Sequence, residues 1–329
     1  MTYETGIAQN ERDLLDKINT FLTSNPTLVA NGQAWTVLYQ NTVAATSQTV
    51  ARKQIMWKST GTGIEQDIYI GCETVNNISD DTYNLHFFGG TFFNAQLIKN
   101  ELIRHGVVNC SPSVTLFADA RAIEYHVVAD GRHCKIITRI SNVISSAYFG
   151  FILPTVPPTE YPYPLCISGS APDSVDNKFP RYSLENYYFS SIAEPLYRNC
   201  YLFTPDQTWR EFFGYLSSGG VTNTEDGRYQ LLFPLCNKTL NNSAGRFLQS
   251  AMVGIGSYPL IPIEFISTER SSQGVNRWGA YDGVYWIPGV QRATGDVVTI
   301  DKNRKGIVFN SGFRSSTTSF FVIDIGEGV

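Results

Sequence analysis

The chain has 329 residues, 43% of them hydrophobic, which is enough for one large or two medium domains with a real core. Charged residues make up only 16%, well under the roughly 25% of an ordinary soluble domain, and the net charge is −4 with Lys and Arg scattered. Without a basic run there is no basis for a nucleic-acid groove, and no stretch approaches the roughly 20 apolar residues that span a bilayer, so membrane insertion is not expected. The start, 1–7, lacks the basic opening and apolar core of a signal peptide, so synthesis in the cytoplasm is expected. Aromatics reach 13%. Such a composition suits a β-rich fold, since strands favour Tyr and Phe, and it equally suits surfaces buried against partners.

In chain order, the first signal is helical. Asn10 reads as an N-cap, with Glu11 and Asp13 in the first turn and Leu14, Leu15, Ile18, Phe21 and Leu22 on one face. This amphipathic helix should stop before Pro26, because a residue preceding proline avoids the helical region. From 34 the texture turns to strands at 35–39, 54–58, 67–73 and 82–88, with a loop at 44–49, a turn at 60–63 and a polar hairpin loop at 76–81. The stretch 96–103 reads as a short helix inside an ambiguous region, 91–105. Four more strands follow at 114–118, 123–129, 134–140 and 146–153. Ala129-Asp-Gly-Arg joins two of them as a tight turn, where Asp-Gly would accept positive φ.

Prolines at 154, 157, 158, 162 and 164 mark an extended edge or linker, because proline cannot donate to a ladder. The domain organisation read from this is a helical arm at 1–33, a first β domain at 34–160 and a second β domain with long loops at 161–329. Residues 181–250 are irregular, with aromatic patches at 187–189 and 209–215 and polar loops at 217–227 and 237–245. The last quarter returns to short apolar or alternating runs at 258–266, 279–289, 296–300, 306–310 and 319–325, separated by Gly, Asn, Asp and Ser, as antiparallel strands and turns are. The fold class is therefore mainly β: antiparallel, sandwich-like domains with an N-terminal amphipathic helix.

Motifs for catalysis and metal binding are missing from this pattern. Gly61-Thr-Gly63 lacks the third glycine of a dinucleotide loop, and there is no phosphate-binding loop or nucleophile elbow. Histidines 86, 105, 126 and 133 form no metal-ligand spacing, and His133 and Cys134 face opposite sides of a strand. Asp80-Asp81 and Glu225-Asp226 read as solvated loop acids, and Asp282 as a turn former before Gly283. No catalytic residue, cofactor or metal is assigned. Cysteines 72, 110, 134, 166, 200 and 236 are widely spaced, which suits buried thiols better than a zinc ribbon, and their connectivity is not readable. The candidate interface or ligand-contact residues are aromatic: Phe87, Phe88, Phe92, Phe93, Tyr187, Tyr188 and Phe189, with Tyr83 nearby. They either fill a core or subunit interface, or stack against sugar rings.

Several segments carry a resemblance. Asp13-Leu-Leu-Asp-Lys-Ile-Asn-Thr-Phe-Leu-Thr with Gly32-Gln-Ala-Trp-Thr-Val-Leu resembles the opening of tail and virion structural proteins of tailed bacteriophages. Asp67-Ile-Tyr-Ile-Gly, Tyr83-Asn-Leu, Phe88-Gly-Gly, Gly131-Arg, Ser146-Ala-Tyr-Phe-Gly-Phe-Ile-Leu-Pro and Tyr161-Pro-Tyr-Pro-Leu-Cys-Ile-Ser-Gly-Ser are similar to the same group. So are Tyr258-Pro-Leu-Ile-Pro, Asp282-Gly-Val-Tyr-Trp-Ile-Pro-Gly, Val308-Phe-Asn and Phe313-Arg. The resemblance implies a non-enzymatic part of a phage tail, in the baseplate or tail tip, assembling in multiple copies with other tail proteins and located in the virion. It is weakest over 170–250. The cysteines depart from the family pattern. Two other expectations stay open: a host-surface glycan-binding module, for which polar loops near aromatics speak, and an envelope depolymerase, for which only scattered acids speak.

Overall fold

The computed structural model describes residues 1–63, 66–141, 143–172, 187–188, 190–191, 200–212, 228–232, 258–268, 275–288, 292–310 and 319–327. The protein is mainly β, with antiparallel sheets stacked in three layers and a helix near its start. Asn10 caps that helix, Glu11–Ser24, by accepting from the backbone N–H groups of Arg12 and Asp13, both at 3.0 Å. Proline ends it as expected, but Pro26 also opens a second short helix, Pro26–Ala30, from its first turn, where a missing N–H costs nothing.

The central sheet runs Thr2–Ala8, Ile123–Ala129, His133–Ile140, Val143–Phe151, Leu165–Ser168, Cys200–Phe203 and Trp209–Glu211 in spatial order. In front of it lies a sheet of Ala171–Pro172, Val114–Phe117, Thr82–Gly90, Ile68–Asn77, Arg52–Ser59 and Thr36–Val43. Behind it lies a third sheet of Arg228–Leu232, Ile261–Thr268, Val275–Pro288, Ser319–Glu327, Arg304–Asn310 and Val297–Thr299. The period-2 alternation of strands decides where each side chain goes. Ile123, Tyr125, Val127, Cys134, Ile136, Ala147 and Phe149 face the front sheet and the helix. Val128, Ile137, Tyr148, Cys166, Cys200 and Leu202 face the back sheet. The central sheet is thus apolar on both faces.

Phe149 is the centre of the front core. Its ring stacks on Phe87 (centroids 5.1 Å apart) and on Trp57 (6.2 Å), and Trp35 meets it edge-on at 5.8 Å. The outer face of the front sheet has its own cover. Phe92–Phe93 pairs with Val107–Val108, and the chain between them closes a satellite core with Met56, Tyr69 and Phe88. The helix expected at 96–103 is replaced by two 3-10 turns, Ala95–Leu97 and Ile103–Gly106. Asn100 (φ 52°) and Glu101 (φ 58°) adopt left-handed backbone between them, which no continuous helix permits.

Two further readings are revised. Thr2–Ala8, unassigned in the sequence, forms an edge strand of the central sheet against Ile123–Ala129. The Asp130-Gly131 turn does form, but neither residue has positive φ. Glycine is required there because a Cβ at Gly131 would collide with the carbonyl of Gly61. The proline-rich stretch at 154–164 lies between two neighbouring strands of one sheet, since Val143–Phe151 and Leu165–Ser168 pair directly. Hydrogen bonding therefore continues across the division expected near 160, and Leu153–Pro154 crosses over to pair with the back sheet.

Phe149→Ala should cost about 3–5 kcal/mol, because a fully buried ring with three aromatic neighbours leaves a cavity that cannot collapse. Urea unfolding followed by tryptophan fluorescence measures it. A loss under about 1 kcal/mol would mean that the front core is not packed around this ring.

Candidate functional site

Titratable side chains gather in one buried place, between the central and back sheets. The Asp130-Gly-Arg turn begins it. The Asp130 carboxylate accepts from the backbone N–H groups of Arg132 (2.7 Å) and His133 (3.1 Å), a local turn typical of aspartate. This sets His133 at the start of its strand with its ring stacked on Tyr148, centroids 5.4 Å apart and planes 6° from parallel. Strand alternation then puts Lys135 on the same face, two residues along. The Lys135 amine donates to the Asp282 carbonyl at 3.0 Å and reaches Met1 Sδ at 3.2 Å.

Asp282 arrives by an irregularity in the opposite sheet, not by the turn its Asp-Gly pair suggested. In strand Val275–Pro288, Ala280 lies opposite Glu264 and Tyr285 opposite Pro262, so four residues face one. Such a bulge re-aims side chains. Gly283 allows it with φ 65° and with no Cβ to strike the Lys135 amine. The Asp282 carboxylate then lies 3.8 Å from His133 Nδ1, and Asp130 Oδ1 lies 3.3 Å from the same nitrogen. At the rim, fully buried Asp324 accepts from Arg304 at 2.8 Å and from the Gly326 N–H at 2.8 Å.

Burial sets the protonation of this cluster. It pulls His133 below its ordinary 6.5, outweighing the raising effect of Asp130 and Asp282. It likewise pulls the Lys135 amine down, although Asp282, Asp130 and Asp324 all favour the charged form. Burial works to raise Asp130, but the His133 ring and the two backbone N–H groups outweigh it and hold the carboxyl low. Those N–H bonds stabilise the anion whether or not His133 is charged. His133 and Lys135 have no solvent exposure, whereas the carboxylates of Asp130 and Asp282 are partly open. Among the described residues no group of three His, Cys, Asp or Glu is placed to hold a metal ion, and no helix is long and apolar enough to cross a membrane.

Of the candidate aromatics among the described residues, Phe88 and Phe93 meet in the satellite core, while Phe87 lies in the front core. Phe87 is fully buried in the front core and Phe88 in the satellite core, with the Arg104 guanidinium 5.7 Å from the Phe88 ring centroid. Phe93 is buried beside Tyr39. Phe92 alone of these four is open, 50% exposed, with its ring edge-on to Tyr69 at 5.8 Å. Tyr187 and Tyr188 form a short strand against Ser190–Ser191, and Phe189 lies outside the described residues. The loop acids Glu225 and Asp226 and Cys236 also lie outside them. Cys72, Cys134, Cys166 and Cys200 are buried free thiols and Cys110 is a half-buried one. Sequence reasoning missed Lys135. Its signal is a lysine inside Cys134-Lys-Ile-Ile-Thr-Arg-Ile, where apolar residues occupy both faces and leave no wet side.

A separate cavity of about 210 Å³ lies on the outer face of the back sheet, walled by Tyr258, Leu260, Ile287 and Val298, with the Arg292 guanidinium 3.7 Å from the Tyr258 ring centroid. No known protein-family description matches the chain, and no curated protein is significantly similar to it.

The buried histidine makes a pH dependence. Because the folded value lies below 6.5, the unfolded chain binds a proton that the folded chain refuses. This contribution to stability is intact above about pH 6.5 and is lost as pH falls below it. His133→Phe keeps the stack on Tyr148 and should flatten the fall in urea midpoint between about pH 7 and pH 5. Equal slopes in the two proteins would remove His133 as the cause.

Proposed function

We propose that this chain is a non-enzymatic structural component of a bacteriophage tail, in the baseplate or tail tip, assembled in multiple copies against other tail proteins within the virion. The observation that carries this reading is the cover of the front sheet. Within residues 92–108 it exposes Phe92 (50%), Leu97 (45%), Leu102 (39%) and Val108 (39%). Phe92 and Val108 are cross-strand partners, so two of the four form one apolar spot. The satellite core beneath holds them outward on ordered backbone. Apolar side chains grouped this way mark contact surfaces.

The neighbouring edge strand supports the same reading. Thr36–Val43 ends the front sheet, and its eight residues include no charge and no proline, the usual means of blocking a sheet edge. Its one defence is a register shift between Val37 and Tyr39, which leaves Leu38 39% exposed. The tail-protein motifs quoted above supply the identity of the assembly. The work of such a part is mechanical: neutral, apolar surface is buried against neighbours and holds them in place.

Phe92→Ser with Leu102→Glu should weaken self-association and binding to tail proteins at least tenfold, with the thermal midpoint changed by no more than a few degrees. Sedimentation velocity and calorimetry read the two effects. A wild-type chain that stays a monomer and binds no tail protein would count against the proposal.

One observation favours a second reading, host-surface glycan binding. Phe92 is exposed, and in the same hairpin the Asn109 side-chain amide donates to the Thr91 hydroxyl at 3.1 Å. An exposed ring can stack on a sugar face, and amide and hydroxyl groups in the same hairpin can hydrogen-bond a sugar. Binding to envelope polysaccharide that is lost in Phe92→Ala supports it, and no binding at high protein concentration removes it.

A further inference from the structure

The cavity of about 210 Å³ on the outer face of the back sheet combines an apolar wall with a cation. Leu260, Ile287 and Val298 form the wall, beside the small core that holds Val308, Phe320 and Val322. Arg292 supplies the cation. Its guanidinium lies over the Tyr258 ring, 3.7 Å from the centroid, which engages its flat face and leaves its N–H edge for another partner. Among the described residues that edge makes no hydrogen bond. Nε is buried without an acceptor, and Nη1 comes no nearer than 4.0 Å to Asp296 Oδ2.

The loop after Arg292 fixes this arrangement. Asp296 Oδ2 accepts from the Ala293 N–H at 2.9 Å, and the Asp296 N–H donates to the Ala293 carbonyl at 3.2 Å, which closes a tight turn. Strand Arg304–Asn310 anchors that turn. The Gly295 N–H donates to the Val308 carbonyl at 2.8 Å, the Val308 N–H to the Asp296 carbonyl at 2.9 Å, and the Asn310 N–H to Thr294 Oγ1 at 2.9 Å. The Asp296 carboxylate is thus engaged within its own turn instead of closing on the guanidinium. A guanidinium only 20% exposed, set beside an apolar wall and short of acceptors, favours an incoming anion.

We propose that this cavity binds a small monocarboxylic acid, a carboxylate carried on an apolar group about the size of one six-membered ring. The carboxylate meets the N–H edge of Arg292, whose planar fork matches its two oxygens. The apolar group lies against Leu260, Ile287 and Val298. Volume sets the size. An apolar cavity of about 150 Å³ takes up a benzene molecule. The volume here, about 210 Å³, adds room for a carboxyl group and not for a second ring. Charge sets the valence, because Asp296 stands 4.0 Å from Nη1 and repels a second negative charge on the ligand. The site lies apart from the 91–110 cover and does not depend on the tail reading.

Titration of the full chain with sodium benzoate at low salt, followed by saturation-transfer NMR and calorimetry, tests this. The expected result is one site with a Kd on the order of 1 mM, the affinity that about nine heavy atoms of modest efficiency give. Benzamide keeps the ring without the charge, and acetate keeps the charge without the ring. Each should bind at least roughly tenfold more weakly than benzoate. Arg292→Gln should weaken benzoate binding at least roughly tenfold, and Leu260→Trp, which fills the cavity, should abolish it, with circular dichroism unchanged in both. Absence of binding at about 20 mM benzoate overturns the proposal. So does equal binding of benzamide, or benzoate binding that survives either substitution in a folded variant. The comparison of benzoate with benzamide on the wild-type chain decides the matter even if a variant fails to fold.

Discussion

The central sheet is packed on both faces, and most of what is distinctive in this protein follows from that constraint. A sheet with one wet face can place polar residues on it without cost, but a sheet enclosed between two others cannot. Polar groups on its strands are then met from the neighbouring layers, although the two ring nitrogens of fully buried His133 make no hydrogen bond. The Thr138 hydroxyl donates to the Phe117 carbonyl at 2.9 Å, tying the central sheet to the front one. The Ser145 hydroxyl donates to that of Ser170 at 2.9 Å, and the Phe117 N–H donates to Ser145 at 3.0 Å. On the other face the same demand produces the Lys135, His133 and Asp282 arrangement. A lysine stem fills the layer, and its amine is met by a carbonyl that the bulge of the back sheet delivers. Removing one partner of such a set costs more than the set contributes, because a buried charge or donor is left alone.

This construction suits a part whose surface does the work. Three layers locked by aromatic stacking and by buried polar pairs give a stiff body. On that body the 91–110 cover and the uncharged edge strand stand as small apolar features with ordered backbone beneath them. A neighbour binding there pays little to order the surface, so the apolar area converts into contact energy with small loss. The low charge of the chain fits the same picture, since interface cores are depleted of charge and enriched in aromatic residues.

Much of the fold was legible. The helix could be read from Asn10 and the Leu14, Leu15, Ile18, Phe21 and Leu22 stripe, and strands such as Ile123–Ala129 from alternation, because these signals are local. What could not be read depends on partners distant in the chain. Thr2–Ala8 has a weak pattern of its own and becomes a strand by pairing across more than a hundred residues. Asp282-Gly283 has the composition of a turn, yet lies in a bulge because the neighbouring strand carries the backbone on through it. Of the candidate aromatics, Phe87 and Phe88 alternate to opposite faces, so one of them should have been exposed on a one-sided sheet. Both are buried because residues 91–110 cover the outer face, a fact that alternation does not contain. Phe92 is left open by the same cover.

The claim that this is a tail structural protein is tested most directly by immunogold electron microscopy of intact particles whose genome encodes the chain, with antibody raised against it. Gold confined to the distal tail, at the baseplate or tip, is the expected result. Unlabelled particles, with the protein found only free in lysates, would contradict it.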